Sequence, residues 1–267
     1  MPFVLVDKPQ PHVTLITLNR PERMNAMAFD VMIPLREALE TLSHDNDVRV
    51  VVLTGAGHGF CSGADLEDAG IVPNIDGLTV TSIARRALEL LDDVIMTIRK
   101  MHHPVIGAIN GAAIGGGFCL ACACDIRIAS DAAYFRAAGI NNGLTASELG
   151  ISYLLPREVG SARAFDIMLT GRDVDAAEAE RIGLVSRVVP GDQMLEECYA
   201  VAARMIGFSR VGVEVTKRML WSSLDASSLQ AHMDHEGISQ LYVRLTTQNF
   251  QEAIRARKEK RAPIYRD

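Results

Sequence analysis

Apolar positions recur along this chain in two rhythms, and their alternation predicts an order of strands and helices. Val4–Val6 and Val13–Leu18 are β-rich runs separated by Asp7-Lys8-Pro9-Gln10-Pro11, which predicts two strands joined by a turn. Val31, Leu35, Ala38, Leu39 and Leu42 recur at helical spacing, and Pro34 within them predicts a kink or a late helix start. Val48–Leu53 reads as an apolar strand of the kind found in a sheet covered on both faces. From Val80 through Ile83, Ala84, Ala87, Leu88, Leu91, Val94, Ile95 and Ile98 runs a helical stripe, with Arg85, Arg86, Glu89, Asp92 and Asp93 facing outward. Val105–Ile109 predicts a strand, Gly115–Cys124 a helix and Ile126–Ala129 another strand. Helices near Ser161–Leu169 and Asp175–Ile182 and a strand at Val185–Val189 follow.

This alternation predicts an α/β core over residues 1–190. Residues 191–267 read as almost wholly helical, basic from Arg255 to Arg261, and suited to cover the core or pack on a neighbouring subunit.

Composition narrows the function classes. Of the 267 residues 48% are hydrophobic and 22% charged, an ordinary globular balance. A net charge of −6 supplies no positive field for nucleic acid. The start, MPFVLVDKPQ, lacks the basic and long apolar regions of a secretory leader. Pro104–Cys124 is a run of 21 uncharged residues, long enough to cross a bilayer. Its five glycines and Asn110 favour a buried strand, a tight turn and a buried helix instead, so no membrane span is expected. Five cysteines without an export signal point to reduced thiols and a cytoplasmic location. Cys119 and Cys122 have CxxC spacing, with Cys124 close by, but no second pair follows. His232 and His235 lie in HMDH, which is not HExxH. No metal is predicted.

Two glycine-rich turns are candidate sites. Thr54-Gly55-Ala56-Gly57-His58-Gly59 follows a strand, but its GxGxG spacing is a poor dinucleotide fingerprint. Gly115-Gly116-Gly117 enters a helix, where free N–H groups and the positive dipole end suit a negative oxygen; close backbone packing explains the glycines equally well.

Phe60–Leu66 (FCSGADL) and Pro104–Ser130 (PVIGAINGAAIGGGFCLACACDIRIAS) resemble the crotonase superfamily, the enoyl-CoA hydratase/isomerase family. Asn19–Met27 (NRPERMNAM) resembles its RPxxxNA signature, and Leu169-Thr170-Gly171, Ala176–Val189 and Glu259–Pro263 fit in the same order. The resemblance implies an α/β fold, a crotonase-like spiral of ββα units with two roughly perpendicular sheets and a C-terminal helical trimerisation region. It implies an acyl-CoA thioester substrate, with coenzyme A as part of that substrate and no separate cofactor, and a homotrimer or hexamer. The N–H groups of Ala64 and Gly116 would hold the enolate oxygen, a device worth roughly 3 kcal/mol per donor. Arg23, Met24, Ala26, Ala64 and Leu66 would lie along the coenzyme A, with Arg23 near phosphate.

Both positions where hydratases of the family carry a catalytic glutamate differ here, being Cys119 and Gly139. Gly143–Gly150 (GLTASELG) resembles the GLxAxDVG segment of dienoyl-CoA isomerase-like members and puts Glu148 at the acid/base position. One carboxylate suffices to move a double bond, because it can return the proton it removes; alternatively, Glu148 serves only to open the following helix. Cys119 reads as packing rather than as a nucleophile, and Glu67 and Asp68 as a solvated loop. Asp65 is expected to fix its turn, and Asp125 to be a buried acceptor. Double-bond isomerisation with Glu148 as base leads. Hydration by a non-standard residue set and a catalytically weak acyl-CoA-binding protein stand as alternatives.

Overall fold

The computed structural model describes residues 1–266. Strands β1 (Val4–Gln10) and β2 (Val13–Leu18) pair antiparallel. The first therefore runs through Asp7–Gln10, the segment expected to turn. As an edge strand it tolerates Pro9, and its register shifts between Asp7 and Gln10. Helix α1 (Phe29–Ser43) begins ahead of Pro34 and continues through it, so the late start does not occur. Pro34 and Asp30 are both exposed, leaving water to bond the Asp30 carbonyl that the ring cannot reach.

Strands β3 (Val50–Gly55) and β4 (Gly59–Cys61) come next, followed by helix α2 (Val80–Lys100). The same two-strand and helix pattern repeats as β5 (Val105–Ile109), β6 (Ala112–Ile114) and α3 (Gly116–Ala123). It repeats again as β7 (Ile126–Ser130), β8 (Tyr134–Arg136) and α4 (Ile151–Val159). The long strands join a six-stranded sheet, β1-β2-β3-β5-β7, and the short ones a four-stranded sheet, β4-β6-β8. Helix α5 (Ser161–Thr170) leads to β9 (Val174–Asp175), which closes the smaller sheet. Helix α6 (Ala176–Arg181), capped by the Asp175 carboxylate, leads to β10 (Arg187–Val189), which closes the larger. Both sheets are mixed, being parallel except for their β1–β2 and β8–β9 pairs.

Strand β3 is buried on both faces, as its apolar run implies. Val51 and Leu53 enter the core under α1 to α3, while Val50 and Val52 meet Met194, Cys198 and Ala202 of α7 (Met194–Ile206). The α2 stripe behaves differently from expectation. Only Val94, Ile95 and Ile98 are fully buried, and Val80 and Leu88 face solvent, because the helix packs on α1 in its second half. The uncharged run folds as β5, β6 and the wholly buried α3. No helix among the described residues is long and apolar enough to cross a membrane.

Helix α8 (Arg210–Ser223) is fastened to the core by buried Lys217. Its Nζ donates to the carbonyls of Ile98 and His103 and pairs with Asp125, each at 2.9 Å. Asp125 is the acceptor expected of it, taking the N–H of Val105 (2.7 Å) and the indole N–H of Trp221 (2.6 Å). Helices α9 (Leu229–Thr246) and α10 (Asn249–Glu259) complete the chain. No residue of α9 is buried, and Leu229, Met233, Leu241, Tyr242 and Leu245 are each more than half exposed.

Candidate active site

The site begins with a buried asparagine. Asn25, fully enclosed at a φ of 55°, accepts the N–H of Arg20 (2.9 Å) and donates to the carbonyls of Ala56 (2.9 Å) and Gly59 (2.8 Å). It thereby ties the N-terminal loop to the glycine-rich turn after β3. Ser62 adds its N–H to the Met24 carbonyl at 3.0 Å.

Met27 then forms a single parallel bridge opposite Ala64. Its N–H donates to Gly63 (2.7 Å) and its carbonyl accepts from Asp65 (3.2 Å). A parallel bridge of this kind uses the groups flanking Ala64 and leaves the N–H of Ala64 itself on the other side.

The glycine triplet meets this loop backbone to backbone. A Cβ on Gly63 would fall 2.6 Å from the Ile114 carbonyl oxygen and 3.3 Å from the Gly116 nitrogen. One on Gly117 would fall 1.9 Å from the Cys61 carbonyl oxygen. Close backbone packing and a helix N-terminus therefore coincide at this turn. Gly116 is the first residue of α3, where an N–H has no intrahelical acceptor and the dipole is positive.

Glu148 arrives from the other side. Its Oε1 lies 3.2 Å from where a Cβ on Gly115 would stand. Its carbonyl accepts the N–H of Ile151 (2.9 Å) and the thiol of Cys119 (3.4 Å). Leu149 follows in the left-handed region, with φ 45°, a placement that costs a non-glycine residue about 1–2 kcal/mol. Leu149 Cδ1 and Met27 Sδ crowd the Cα of Gly116, so the donor sits against apolar groups. Among the described residues the half-buried Glu148 carboxylate has no ion pair, and burial raises its pKa above the usual carboxylate value.

The other sequence candidates separate clearly. Cys119 is 1% exposed, and burial, with the Glu148 charge nearby, pushes its thiol well above the usual range, which suits packing and not nucleophilic attack. Gly139 has no room for a side chain, since a Cβ there would lie 1.9 Å from the Thr145 carbonyl oxygen. Asp65 does fix its turn, its Oδ1 accepting the N–H groups of Glu67 (3.0 Å) and Asp68 (2.9 Å). Glu67 and Asp68 are solvent-exposed yet paired, Glu67 with Arg23 and Asp68 with Arg20. Arg20 also meets Asp65 at 3.0 Å. Met24 and Leu66 present exposed side chains beside this cluster, whereas Ala26 is buried. The sequence reading missed Asn25, Met27 and Leu149. All five cysteines are free and buried, and no three His, Cys, Asp or Glu side chains gather as a metal set among the described residues.

Comparison with known proteins identifies the family. Residues 9–267 match the family model for enoyl-CoA hydratase/isomerase. The chain is 68% identical over 265 residues to the probable enoyl-CoA hydratase EchA12 of Mycobacterium tuberculosis H37Rv, covering 99% of this chain and 93% of that one. A crystal structure of a probable enoyl-CoA hydratase/isomerase from Mycobacterium abscessus superposes with a TM-score of 0.96 at 67% identity, covering 100% and 99% of the two chains. A monofunctional enoyl-CoA isomerase from Mycobacterium smegmatis gives 0.75 at 62% identity, covering 87% of this chain and 99% of that one. With two mixed sheets built from repeated strand-strand-helix units and a C-terminal helical region, this chain belongs to the enoyl-CoA hydratase/isomerase family of the crotonase superfamily.

Proposed function

We propose that the chain moves a carbon–carbon double bond along an acyl-CoA thioester, using one carboxylate. The observation that carries this reading is the placement of Glu148, half-buried and without an ion pair among the described residues, against the Gly115–Gly116 turn while positions 119 and 139 hold no carboxylate. The likeness to a monofunctional enoyl-CoA isomerase supports it.

In a 3-enoyl thioester, Glu148 removes a proton from C2, and the electron pair moves onto the thioester oxygen. The N–H groups of Ala64 and Gly116 hold that oxygen in a cleft where Met27 and Leu149 crowd Gly116. The protonated carboxyl then delivers the same proton to C4, the thioester carbonyl reforms and the 2-enoyl product results. A raised pKa suits a group that must both take and return a proton. Arg23, Met24 and Leu66, with the backbone of Ala26 and Ala64, line the approach of the coenzyme A.

The unburied apolar face of α9 supports self-association as a trimer or hexamer. A cavity of about 890 Å³ lined by Asp125–Arg127 and residues of helices α8 to α10 does not include Glu148 in its lining and belongs to that region.

The test is mass spectrometry of 2-enoyl- and 3-enoyl-CoA incubated in D₂O with wild type and Glu148→Ala. Double-bond migration or α-deuteration that disappears in the variant supports the reading. A hydroxylated product formed equally by both proteins overturns it in favour of hydration by other residues.

A further inference from the structure

The acidic loop beside Ala64 carries more negative than positive charge. Asp65, Glu67 and Asp68 face two guanidinium groups, those of Arg20 and Arg23. The two arginines are not equivalent. Arg20 has a side chain only 7% exposed, meets Asp65 at 3.0 Å and Asp68 at 3.3 Å, and stands over the Phe3 ring at 5.3 Å. Enclosed on all these sides, it cannot turn to a ligand. Arg23 is 34% exposed, and its close partner, Glu67, is 77% exposed. Behind it Asp65 stays 4.0 Å away, near enough to keep the guanidinium aimed after Glu67 leaves.

An exposed pair of this sort is weak and exchangeable. A phosphate brings more charge and several acceptor oxygens to the same guanidinium. Accepting the acyl-CoA reading above, we infer that Glu67 is a built-in counter-ion which the phosphates of the substrate must displace from Arg23, so that Glu67 sets how strongly the site prefers phosphate-bearing thioesters to phosphate-free ones. With Glu67 in place, an approaching phosphate meets a loop of net negative charge. With Glu67 neutral, Arg23 is open and the loop charge is balanced.

Titration calorimetry at low ionic strength tests this with two unreactive saturated probes, butyryl-CoA and S-butyryl-pantetheine. Glu67→Gln should tighten butyryl-CoA binding by about two- to fivefold and leave the pantetheine thioester unchanged. In an Arg23→Gln background the same substitution should have a clearly smaller effect, because the competition has lost its object and only the general loop charge changes. Equal tightening of both probes, no tightening, or tightening undiminished without Arg23 would overturn the inference. If wild type binds neither probe, the acyl-CoA reading itself falls and the inference with it; pantetheine binding without a phosphate preference in Glu67→Gln refutes the counter-ion role alone.

Discussion

The thiol of Cys119 donates to the carbonyl oxygen of Glu148 across 3.4 Å. Cys119 thus braces the loop that brings the Glu148 carboxylate to the glycine turn. Glu148 and Gly116 are joined through the first turn of α3, since the same thiol also reaches the Gly115 carbonyl at 3.3 Å.

Replacing Glu148 with Gln should lower isomerase turnover by about 10²–10⁴-fold while acyl-CoA binding persists. The base works deprotonated, and burial raises its pKa. Wild-type activity should therefore rise with pH along a limb above the usual carboxylate range, and Glu148→Gln should lose that limb. Stability should move the opposite way. A carboxylate with a raised folded pKa favours the fold below its unfolded pKa and loses that contribution as pH climbs through the folded one. Glu148→Gln should accordingly melt higher than wild type at pH 8 and level with it at pH 4, as read by calorimetry.

Gly139→Glu should not create a hydratase. A Cβ there would overlap the Thr145 carbonyl oxygen at 1.9 Å, so the loop carrying Glu148 must shift. The expected result is a stability loss of at least about 2 kcal/mol in urea titrations, together with reduced isomerase activity and no hydration product.

His103 should make the fold sensitive to mild acid. The ring is 3% exposed, Nε2 bonds the Leu42 carbonyl at 3.1 Å, and Nδ1 is buried without a hydrogen bond among the described residues, the Glu214 carboxylate standing 3.9 Å from it. Burial lowers its pKa to about 4. A depressed histidine holds stability above its unfolded pKa near 6.5 and loses it as pH falls toward the folded value. The loss should approach about 3 kcal/mol between pH 6.5 and 4, and His103→Gln should flatten that slope in denaturation measured across the range.

Introducing charge on α9 should show whether its apolar face meets another copy. Leu241→Glu, at a side chain 54% exposed in the single chain, should shift the mass measured by light scattering toward the monomer. An unchanged mass would place the contact elsewhere.

Long apolar or periodic segments were legible in the sequence, because their burial demands a repeating pattern. Strand β3 is the clearest case, since both of its faces are covered. Strands β4, β6, β8 and β9 were not legible: two or three residues are too few to show alternation, and their partners are distant in sequence. The α2 stripe misled in its first half because amphipathicity records a capacity to pack, not the presence of a partner. In the site, the glycine turn was visible as a candidate from its spacing, and Glu148 came into view through the likeness of its segment to a family pattern. The apolar wall of Met27 and Leu149 could not be read, because it depends on chain segments more than a hundred residues apart. A polar signal did exist for Asn25, an amide at the head of the buried apolar run Ala26–Phe29.

The two proposed oxyanion donors are main-chain groups, and this bears on how such a protein can change. Ordinary side-chain replacement cannot delete an N–H; only proline, or a backbone shift forced by lost glycine, can do so. On the proposed mechanism the electrophilic half of the chemistry belongs to the backbone, while the proton-transfer half rests on a single exchangeable side chain. Carboxylates could be absent from positions 119 and 139 and present at 148 without rebuilding the turn that would bind the thioester oxygen. Divergence in this chain is then a matter of where one acid group stands around a fixed electrostatic centre.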